Sequence, residues 1–215
     1  MFSVSFVVKN HLAAEMIARG GVIAFRTDTF YGLGADPFNR SALQRIKQLK
    51  GREAKKPILV VISDSDQIER FISERSHAFD LLAECFWPGA LTLIGQAAPA
   101  VPGELTAGTG TVGIRLPGDD NVRALVRACG GALTATSANR SGSDPARTAK
   151  EVEKYFASAI DLIVDGGEAR VDHPSTVVDA SGAEPKLIRE GAVHWSEIQN
   201  LMAQEKSELI KNRER

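Results

Sequence analysis

The chain has 215 residues, of which 43% are hydrophobic and 25% are charged. This composition is typical of a globular protein and excludes a disordered or fibrous chain. The formal net charge is −1, so no overall electrostatic field attracts the protein to nucleic acid or to an anionic membrane, and a site for anions has to be local.

Helical and strand patterns alternate along the sequence. A first helix is predicted from Asn10, as its N-cap, to about Arg19, where Gly20 and Gly21 end it. Apolar or alternating runs predict strands at 22–25, 58–62, 91–94, 112–116, 132–136, 162–164, 176–179 and 186–189. Further helices are predicted at about 41–50, 64–72, 77–86, 121–128, 148–156 and from 195 onward. Because many of the strands, but not all, are separated by helices, we predict an α/β fold: a single domain with a twisted mixed sheet and flanking helices.

The sequence also limits the class of environment and cofactor. It contains no stretch of the roughly 20 apolar residues that a membrane span needs, and its N-terminus lacks a charged region before the short apolar run. We therefore expect a cytoplasmic protein. Cys85 and Cys129 lie far apart and the four histidines are scattered without metal-ligand spacing, so a transition metal held by protein ligands is not expected.

The segment LKGREAKKP, residues 49–57, is strongly basic and leads directly into the apolar run ILVVI. Lys50, Arg52, Lys55 and Lys56 bring four positive charges to the end of a predicted helix and the start of a predicted strand. Such a cluster is often the solvated face of a helix. Its position near loops at one rim of the sheet also suits a polyphosphate, which arginine and lysine side chains bind well.

The segment TDTFYGLGAD, residues 27–36, follows a predicted buried strand. One interpretation is a strand-to-helix turn, in which Gly32 and Gly34 adopt special dihedral angles and an aromatic side chain fills the core. The alternative is a ligand-binding loop, in which the Thr29 hydroxyl contacts the ligand and the glycines let the backbone approach it. The sequence leaves both open.

Polar residues stand at or near the ends of other predicted strands. In the motif TSANRSG, Ser137 and Asn139 follow a strand where α/β sheets commonly bind ligands, although a capping turn would also explain them. Arg115 lies inside the strand sequence VGIRL, so it requires either a bound anion, such as a ligand carboxylate, or an ion pair with Asp or Glu. Ser175 precedes one of the last strands, and Arg189 ends another.

Eight motifs occur in the order in which one known family has them. They are TDTFYGLGAD, KGREAKKP, WPGALTLI, TVGIRLP, TSANRSG, DLIVDGG, PSTVVD and LIREG. Together they resemble the YrdC family of threonylcarbamoyl-AMP synthases, and the likeness extends to about Gly191. The resemblance implies a YrdC-like fold around a central cleft, with a catalytic domain over residues 1–194 and a C-terminal helix and charged tail over 195–215. It also indicates the short form of the family, without an additional C-terminal domain.

The activity that this resemblance implies is condensation of L-threonine, bicarbonate or CO2, and ATP to threonylcarbamoyl-AMP and pyrophosphate, which is a nucleotidyl transfer. The product would serve N6-threonylcarbamoyladenosine modification of tRNA through a threonylcarbamoyl transferase complex, with RNA contact as a further expectation. Mg2+ is expected to arrive with ATP. By resemblance, the catalytic residues are Lys50 and Arg52. The ATP-binding residues implied are Lys50, Arg52, Lys56, Thr111, Ser137, Asn139 and Arg189. The threonine-binding residues implied are Thr29, Arg115 and Ser175.

Two positions depart from the family pattern. Arg26 stands where a proline usually precedes the Thr-Asp/Glu-Thr run, and this change is expected to add charge near the cleft. Glu190 replaces the usual proline after Arg189, which frees the backbone there and makes the placement of Arg189 less constrained.

Two other functions are weighed against synthase activity. A non-catalytic module of the same fold would bind double-stranded RNA, but the neutral charge and an aromatic content of 6% argue against base stacking. An ATP-dependent carbamoyl transferase domain of related fold is normally part of a longer chain with zinc-binding cysteines, and this chain has two cysteines far apart.

Overall fold

The computed structural model describes residues 6–51, 56–169 and 173–213. The predicted α/β class, with mixed pairing and flanking helices in a single domain, is confirmed. The helices are α1 (Phe6–Ala18), α2 (Arg40–Lys50), α3 (His77–Phe86), α4 (Gly103–Thr106), α5 (Asp120–Ala128), α6 (Ala149–Phe156) and α7 (Trp195–Arg213). The strands are β1 (Ile23–Arg26), β2 (Tyr31–Gly34), β3 (Val60–Ile62), β4 (Leu91–Gln96), β5 (Thr111–Arg115), β6 (Ala132–Thr134), β7 (Thr136–Ser137), β8 (Leu162–Val164), β9 (Thr176–Asp179) and β10 (Lys186–Arg189). Short 3-10 helices occupy Ser65–Arg70 and Ala157–Ala159.

The strands form two mixed sheets. The smaller sheet has the order β7-β2-β1-β8, and the larger has the order β10-β9-β4-β5-β3-β6. Strand β1 is antiparallel to β2 and parallel to β8, while β5 is parallel to β3 and antiparallel to β4. Mixed pairing was predicted from the uneven spacing of helices, but the division into two sheets was not.

The two sheets meet at Ala135. The sequence predicted one continuous strand over 132–136, but β6 pairs with β3 in the larger sheet and β7 pairs with β2 in the smaller sheet. Between them, the Ala135 N–H donates to the carbonyl of Leu59 at 2.8 Å. The chain therefore passes from one sheet to the other within a single residue, and this corner brings residues of both sheets to one place.

Strand β2 was not predicted, because the segment 27–36 was interpreted as a turn or a loop. Gly32 and Gly34 lie in this strand, and neither has a positive φ. A Cβ atom at Gly34 would lie 2.8 Å from the ring of Phe25 on the neighbouring strand β1. Gly34 is thus required for packing against an aromatic ring, and the special dihedral angles that the sequence suggested are absent at both glycines.

Helix boundaries follow the capping residues in some helices only. Asn39 caps α2 through a hydrogen bond from the Ala42 N–H, and Gly51 ends α2 in the left-handed conformation at φ 57°. The prediction that Asn10 caps the first helix is wrong, since α1 begins at Phe6 and Asn10 is buried inside it. Asparagine is a common N-cap, but burial against the rest of the domain overrides that local preference here.

Helix α7 packs on the body of the domain. Ile198 is fully buried. Lys206 on this helix forms an ion pair with Glu184 at 2.9 Å, and Glu205 on the helix lies 2.9 Å from Nε2 of His77. Across the described ranges, no helix has both the length and the apolar character required to cross a membrane.

Candidate functional site

A cavity of about 380 Å³ opens where the two sheets approach each other. Strands β2 and β7 of the smaller sheet and strands β3, β4 and β5 of the larger sheet contribute to its walls. The sequence-predicted site residues that line it are Thr29, Ser137, Arg115, Ser175 and Arg189. They come from the β1–β2 loop, β7, the end of β5, the residue before β9 and the end of β10, so the fold brings together positions that span 160 residues of sequence, from 29 to 189.

The described lining of this cavity includes positively charged side chains and no acidic one. Its charged lining residues are Arg115 and Arg189, and no Asp or Glu is among the described residues that form its walls. The remaining lining residues are apolar or carry a neutral hydroxyl: Thr27, Phe30, Tyr31, Gly32, Pro57, Leu59, Val60, Val61, Thr92, Ala135, Thr136, Pro145 and Pro174. A pocket of this kind favours an anionic ligand with an apolar part.

Arg115 is buried, with 5% of its surface exposed, and it pairs with Asp28. Its Nη1 donates to Asp28 Oδ1 at 2.5 Å, while the other oxygen of Asp28 accepts the Gly118 N–H at 3.3 Å. The ion pair that the sequence offered as an alternative explanation of this arginine is therefore present. The other guanidinium nitrogens of Arg115 form no hydrogen bond with a described residue, so the side chain retains donors for a second anion.

Arg189 is held against Ser175 at the cavity. Its Nη2 and Nε donate to the Ser175 carbonyl at 2.8 and 3.3 Å. Although much of the Arg189 side chain is exposed, partial burial of its guanidinium and the positive charge of Arg115 lower the pKa of Arg189 below its usual value. Both arginines line the same cavity, so an anion bound there would favour the charged form of Arg189.

The donor and the acceptor can be assigned for the hydrogen bond between two hydroxyls on the β1–β2 loop. Thr27 Oγ1 donates to the Phe30 carbonyl at 2.7 Å and lies 3.0 Å from Thr29 Oγ1. A hydroxyl has one proton, so the Thr27 proton is used on Phe30 and Thr29 has to donate to Thr27. Thr29 therefore keeps its lone pairs for a donor in the cavity, such as an ammonium group.

Ser175 has a hydroxyl partner that sequence reasoning missed. Thr92 on β4 is 1% exposed, lines the cavity, and places its Oγ1 3.0 Å from Ser175 Oγ. A threonine inside the apolar run LTLI was a signal for a polar neighbour on the buried face, but its partner is 83 positions away. Tyr31 also lines the cavity; burial raises its pKa to about 12, so its hydroxyl stays protonated.

Lys50 is buried with 5% exposure and already has acceptors for its ammonium group. Its Nζ donates to the Ser137 carbonyl, to the Asn139 carbonyl at 3.0 Å and to Asn139 Oδ1 at 2.9 Å. Ser137 Oγ donates to Asn139 Oδ1 at 2.7 Å. Lys50 and Asn139 thus form a network behind Ser137, in which the end of α2 fixes the loop that carries this cavity residue.

The other predicted residues are not in the cavity wall. Thr111 begins β5, four residues before Arg115, and bonds with Thr109 outside the cavity. Lys56 is exposed and forms no hydrogen bond or ion pair with any residue that the structure describes. Arg52, predicted as catalytic and as an ATP contact, lies outside the described residues.

The two departures from the family pattern have partners of their own. Arg26 pairs with Asp119, the N-cap of α5, at 2.5 Å, and it is not among the cavity lining residues. The charge that was expected near the cleft is therefore neutralised beside it. Glu190 accepts the Trp195 N–H at 2.9 Å, where a carboxylate at the first turn of α7 is favourable.

The donor set of the site gives a carboxylate-poor environment for metal ions. In the parts of the chain that the structure describes, no group of three or more His, Cys, Asp or Glu side chains could hold a metal ion. Asp28, which stands behind the cavity wall, is already paired with Arg115. A magnesium ion that came with a polyphosphate ligand would therefore depend on the phosphate oxygens for its charged ligands.

Comparisons with known proteins place the chain in one family. A sequence profile of the Sua5/YciO/YrdC family, which carries the description telomere recombination, matches residues 15–191. The threonylcarbamoyl-AMP synthase of Thiobacillus denitrificans is 38% identical over 173 residues, which cover 80% of this chain and 90% of that protein. The threonylcarbamoyl-AMP synthase of Pyrococcus abyssi is 36% identical over 196 residues, which cover 91% of this chain and 58% of that protein.

A solved structure is also similar to this chain over most of its length. The crystal structure of P. abyssi Sua5 complexed with L-threonine superposes with a TM-score of 0.88 at 35% identity. The match covers 93% of this chain and 58% of that one, so the chain spans less than two thirds of the Pyrococcus protein.

Proposed function

Because the chain belongs to the Sua5/YciO/YrdC family, we propose that it synthesises L-threonylcarbamoyladenylate and pyrophosphate from L-threonine, bicarbonate and ATP. This reaction makes it a nucleotidyltransferase, since an adenylyl group moves from pyrophosphate to a carbamate oxygen. Relatives that match this chain over 90% and 91% of their own length carry the name threonylcarbamoyl-AMP synthase, and this supports the proposal.

One observation carries the proposal: Arg115 and Arg189 line a single cavity whose described walls contain no carboxylate. ATP is a polyanion and threonine carries a carboxylate, so each of these two substrates has an anionic group that an arginine of the cavity can bind. Because each guanidinium can bind a different ligand, the two arginines suit an amino acid bound beside a polyphosphate better than a single small anion.

The residues divide between the two substrates in a way that their donors and acceptors support. The unused guanidinium donors of Arg115 suit the threonine carboxylate, and the free lone pairs of Thr29 suit its amine. Ser175, which contacts Thr92 and Arg189, lines the same cavity as Arg115 and is assigned to threonine. Arg189 and Ser137 then face the phosphates of ATP, with Asn139 and Lys50 supporting Ser137.

The chemistry requires placement and charge more than a reactive side chain. The threonine amine adds to CO2 and loses a proton, which gives a carbamate; a carbamate oxygen then attacks the α-phosphorus of ATP, and the bond to pyrophosphate breaks. Holding the reactants together removes up to roughly 7–11 kcal/mol of the barrier, and the fixed cations stabilise charge on the leaving pyrophosphate. Mg2+ would arrive with ATP and neutralise part of the phosphate charge.

Lys50, which the sequence predicts to be catalytic, is assigned an indirect role here. With its ammonium bound to Ser137 and Asn139, Lys50 acts on the reaction by keeping this loop in place. Arg52 follows Gly51 directly in the sequence, two positions after Lys50, and this supports a role for it on the phosphates.

The product is a mixed anhydride that water destroys, so it would pass to a threonylcarbamoyl transferase complex that modifies adenosine in tRNA. Contact between this protein and RNA would then assist the transfer and is not needed for the synthesis step.

The proposal is tested by incubating the purified chain with ATP, Mg2+, bicarbonate and labelled threonine. Pyrophosphate release is expected only when threonine and bicarbonate are both present, together with a labelled adenylate. If no such release occurs and the protein binds duplex RNA, the non-catalytic RNA-binding module becomes the better account.

A further inference from the structure

The chain after β10 folds back against the residues that begin β9. Gly191 N–H and Val193 N–H donate to Thr176 Oγ1 at 2.9 and 3.1 Å, and Thr176 Oγ1 donates to the Val193 carbonyl at 2.5 Å. A hydroxyl has one proton and two lone pairs, so the Thr176 side chain is fully satisfied by this one segment. Thr176 is fully buried and is the residue next to Ser175.

Backbone contact strengthens the same attachment. Ala192 N–H donates to the Pro174 carbonyl at 2.9 Å. A Cβ atom at Gly191 would lie 2.2 Å from Pro174 O and 2.8 Å from Thr176 N, so only glycine allows this approach. Residues 191–193 are thus joined to 174–176 by both hydrogen bonds and close packing.

The β-ladder alone does not determine where Arg189 stands. The pairing between β9 and β10 shifts register between Leu187 and Arg189, immediately before the guanidinium that reaches the cavity. Arg189 has Glu190 after it, where the sequence analysis noted that a proline is usual and that the backbone is freer. Its guanidinium bonds only with the carbonyl and hydroxyl of Ser175 among the described residues.

We propose that Thr176 is a positioning residue for this site: its hydroxyl holds residues 191–193 and thereby keeps the Arg189 guanidinium on Ser175, beside Arg115. Thr176 itself does not line the cavity, so it acts through Arg189. The proposal rests on the proposed function for its kinetic form, since Arg189 is assigned there to ATP. Its structural form, a hydroxyl that fixes an anion-binding arginine, does not depend on that assignment.

The test compares Thr176→Val, which keeps the shape and removes the hydroxyl, with Thr176→Ser, which keeps the hydroxyl. Thr176→Val is expected to raise the KM for ATP roughly 10-fold or more, because a displacement of about 1 Å at a reacting site has effects up to about 100-fold. The KM for threonine should change little, since Thr92 still holds Ser175. Thr176→Ser should behave as the wild type. Ser73→Ala, which removes an exposed hydroxyl far from the cavity, is the matched control.

Two further measurements separate positioning from general stability. Amide exchange of Gly191 and Val193, followed by NMR, should become faster in Thr176→Val and not in Thr176→Ser. Gly191→Ala should raise the KM for ATP in the same way with Thr176 intact, which covers the case in which Thr176→Val fails to fold. Faster exchange or a lower melting temperature with an unchanged KM for ATP would overturn the proposal, because Thr176 would then only stabilise the fold.

Failure of the proposed function would be seen separately, as a wild-type protein that releases no pyrophosphate. The same variants would then be compared by equilibrium dialysis with ATP alone. Weaker ATP binding by Thr176→Val and Gly191→Ala, but not by Thr176→Ser, would support the positioning role. Equal ATP binding by all of them would overturn it.

Discussion

The guanidinium of Arg115, which lines the cavity, is bonded to the carboxylate of Asp28 at 2.5 Å, and the described lining itself has no acidic residue. The two residues are 87 positions apart, and they connect the motifs TDTFYGLGAD and TVGIRLP. A carboxylate ligand at Arg115 therefore shares the guanidinium with a carboxylate that the protein already supplies. The strength of ligand binding depends on that competition.

Replacing Arg115 should affect the two substrates unequally. In Arg115→Ala, loss of a charge-assisted contact is expected to cost about 2–5 kcal/mol of threonine binding, which is a rise of at least about 30-fold in the KM for threonine. The KM for ATP should rise much less. Arg115→Lys is the matched variant, because it keeps the positive charge and loses the paired donors of the guanidinium. Its KM for threonine should lie between those of the wild type and Arg115→Ala. A larger rise in the KM for ATP than in that for threonine would contradict the assignment.

Replacing Asp28 should have the opposite effect on threonine. Asp28→Asn removes the competing charge, so the KM for threonine is expected to fall a few-fold. The free energy of unfolding in urea should fall by roughly 1–3 kcal/mol, because the buried Arg115 loses its counterion. Asp120→Asn, at an exposed ion pair on α5, serves as the control. A rise in the KM for threonine would show instead that Asp28 is needed to orient Arg115.

Lys50 is expected to matter for stability as well as for ATP. Lys50→Met removes a charged donor from three acceptors. The Asn139 carbonyl then loses its donor, while the Ser137 carbonyl keeps the Asn139 N–H and Asn139 Oδ1 keeps the Ser137 hydroxyl. The free energy of unfolding should fall by roughly 2–4 kcal/mol, and the KM for ATP should rise because the loop at Ser137 is released. Lys150→Met, on the exposed face of α6, should leave both unchanged. Unchanged stability in Lys50→Met would mean that the network contributes little.

The reaction should require a metal ion only as the Mg2+ that arrives with ATP. Treatment with EDTA is expected to stop pyrophosphate release, and added Mg2+ should restore it fully. A zinc-selective chelator such as 1,10-phenanthroline should have no effect, since the cavity lining has no carboxylate, cysteine or histidine among the described residues. Loss of activity with phenanthroline that only zinc restores would contradict this expectation.

The ion pair between Arg45 and Asp161 should make the free energy of unfolding depend on pH. Burial tends to raise the pKa of Asp161, but hydrogen bonds from Arg45 and the Val22 N–H outweigh it and hold the pKa below its ordinary value. A lowered pKa in the folded state contributes stability that is complete above the unfolded value of about 3.9 and is lost as the pH falls through the folded value. The wild type should therefore exceed Asp161→Asn in urea unfolding at pH 7, with the difference shrinking below about pH 4. A difference that is constant from pH 7 to pH 3 would contradict this.

Local chemistry was enough to predict most helices. The helix predicted at 77–86 is α3 as the structure has it, with Ser76 as its cap, and Gly51 ends α2 as predicted. These features depend on residues a few positions apart, which the sequence displays directly. Strand β2 and the corner at Ala135 depend on partners in other strands, such as the ring of Phe25, and periodicity does not reveal them.

The same distinction holds for the site. Motif resemblance indicated that Arg115, Ser137 and Arg189 belong together, and the structure places them around one cavity. It did not indicate that Asp28 neutralises Arg115 or that Lys50 is buried against Asn139, because those pairings depend on the order of the strands in two sheets. The binding roles of these residues stay predictions until the variants are measured.

A crystal structure with L-threonine and α,β-methylene-ATP, which cannot release pyrophosphate, tests the central claim most directly. Both ligands should occupy the cavity between the sheets, with the threonine carboxylate on Arg115 and the phosphates toward Arg189 and Ser137. The threonine amine should lie close enough to the α-phosphorus for the carboxyl group of the carbamate to bridge the two. Ligands bound on separate surfaces, or a threonine carboxylate that does not touch Arg115, would contradict the account.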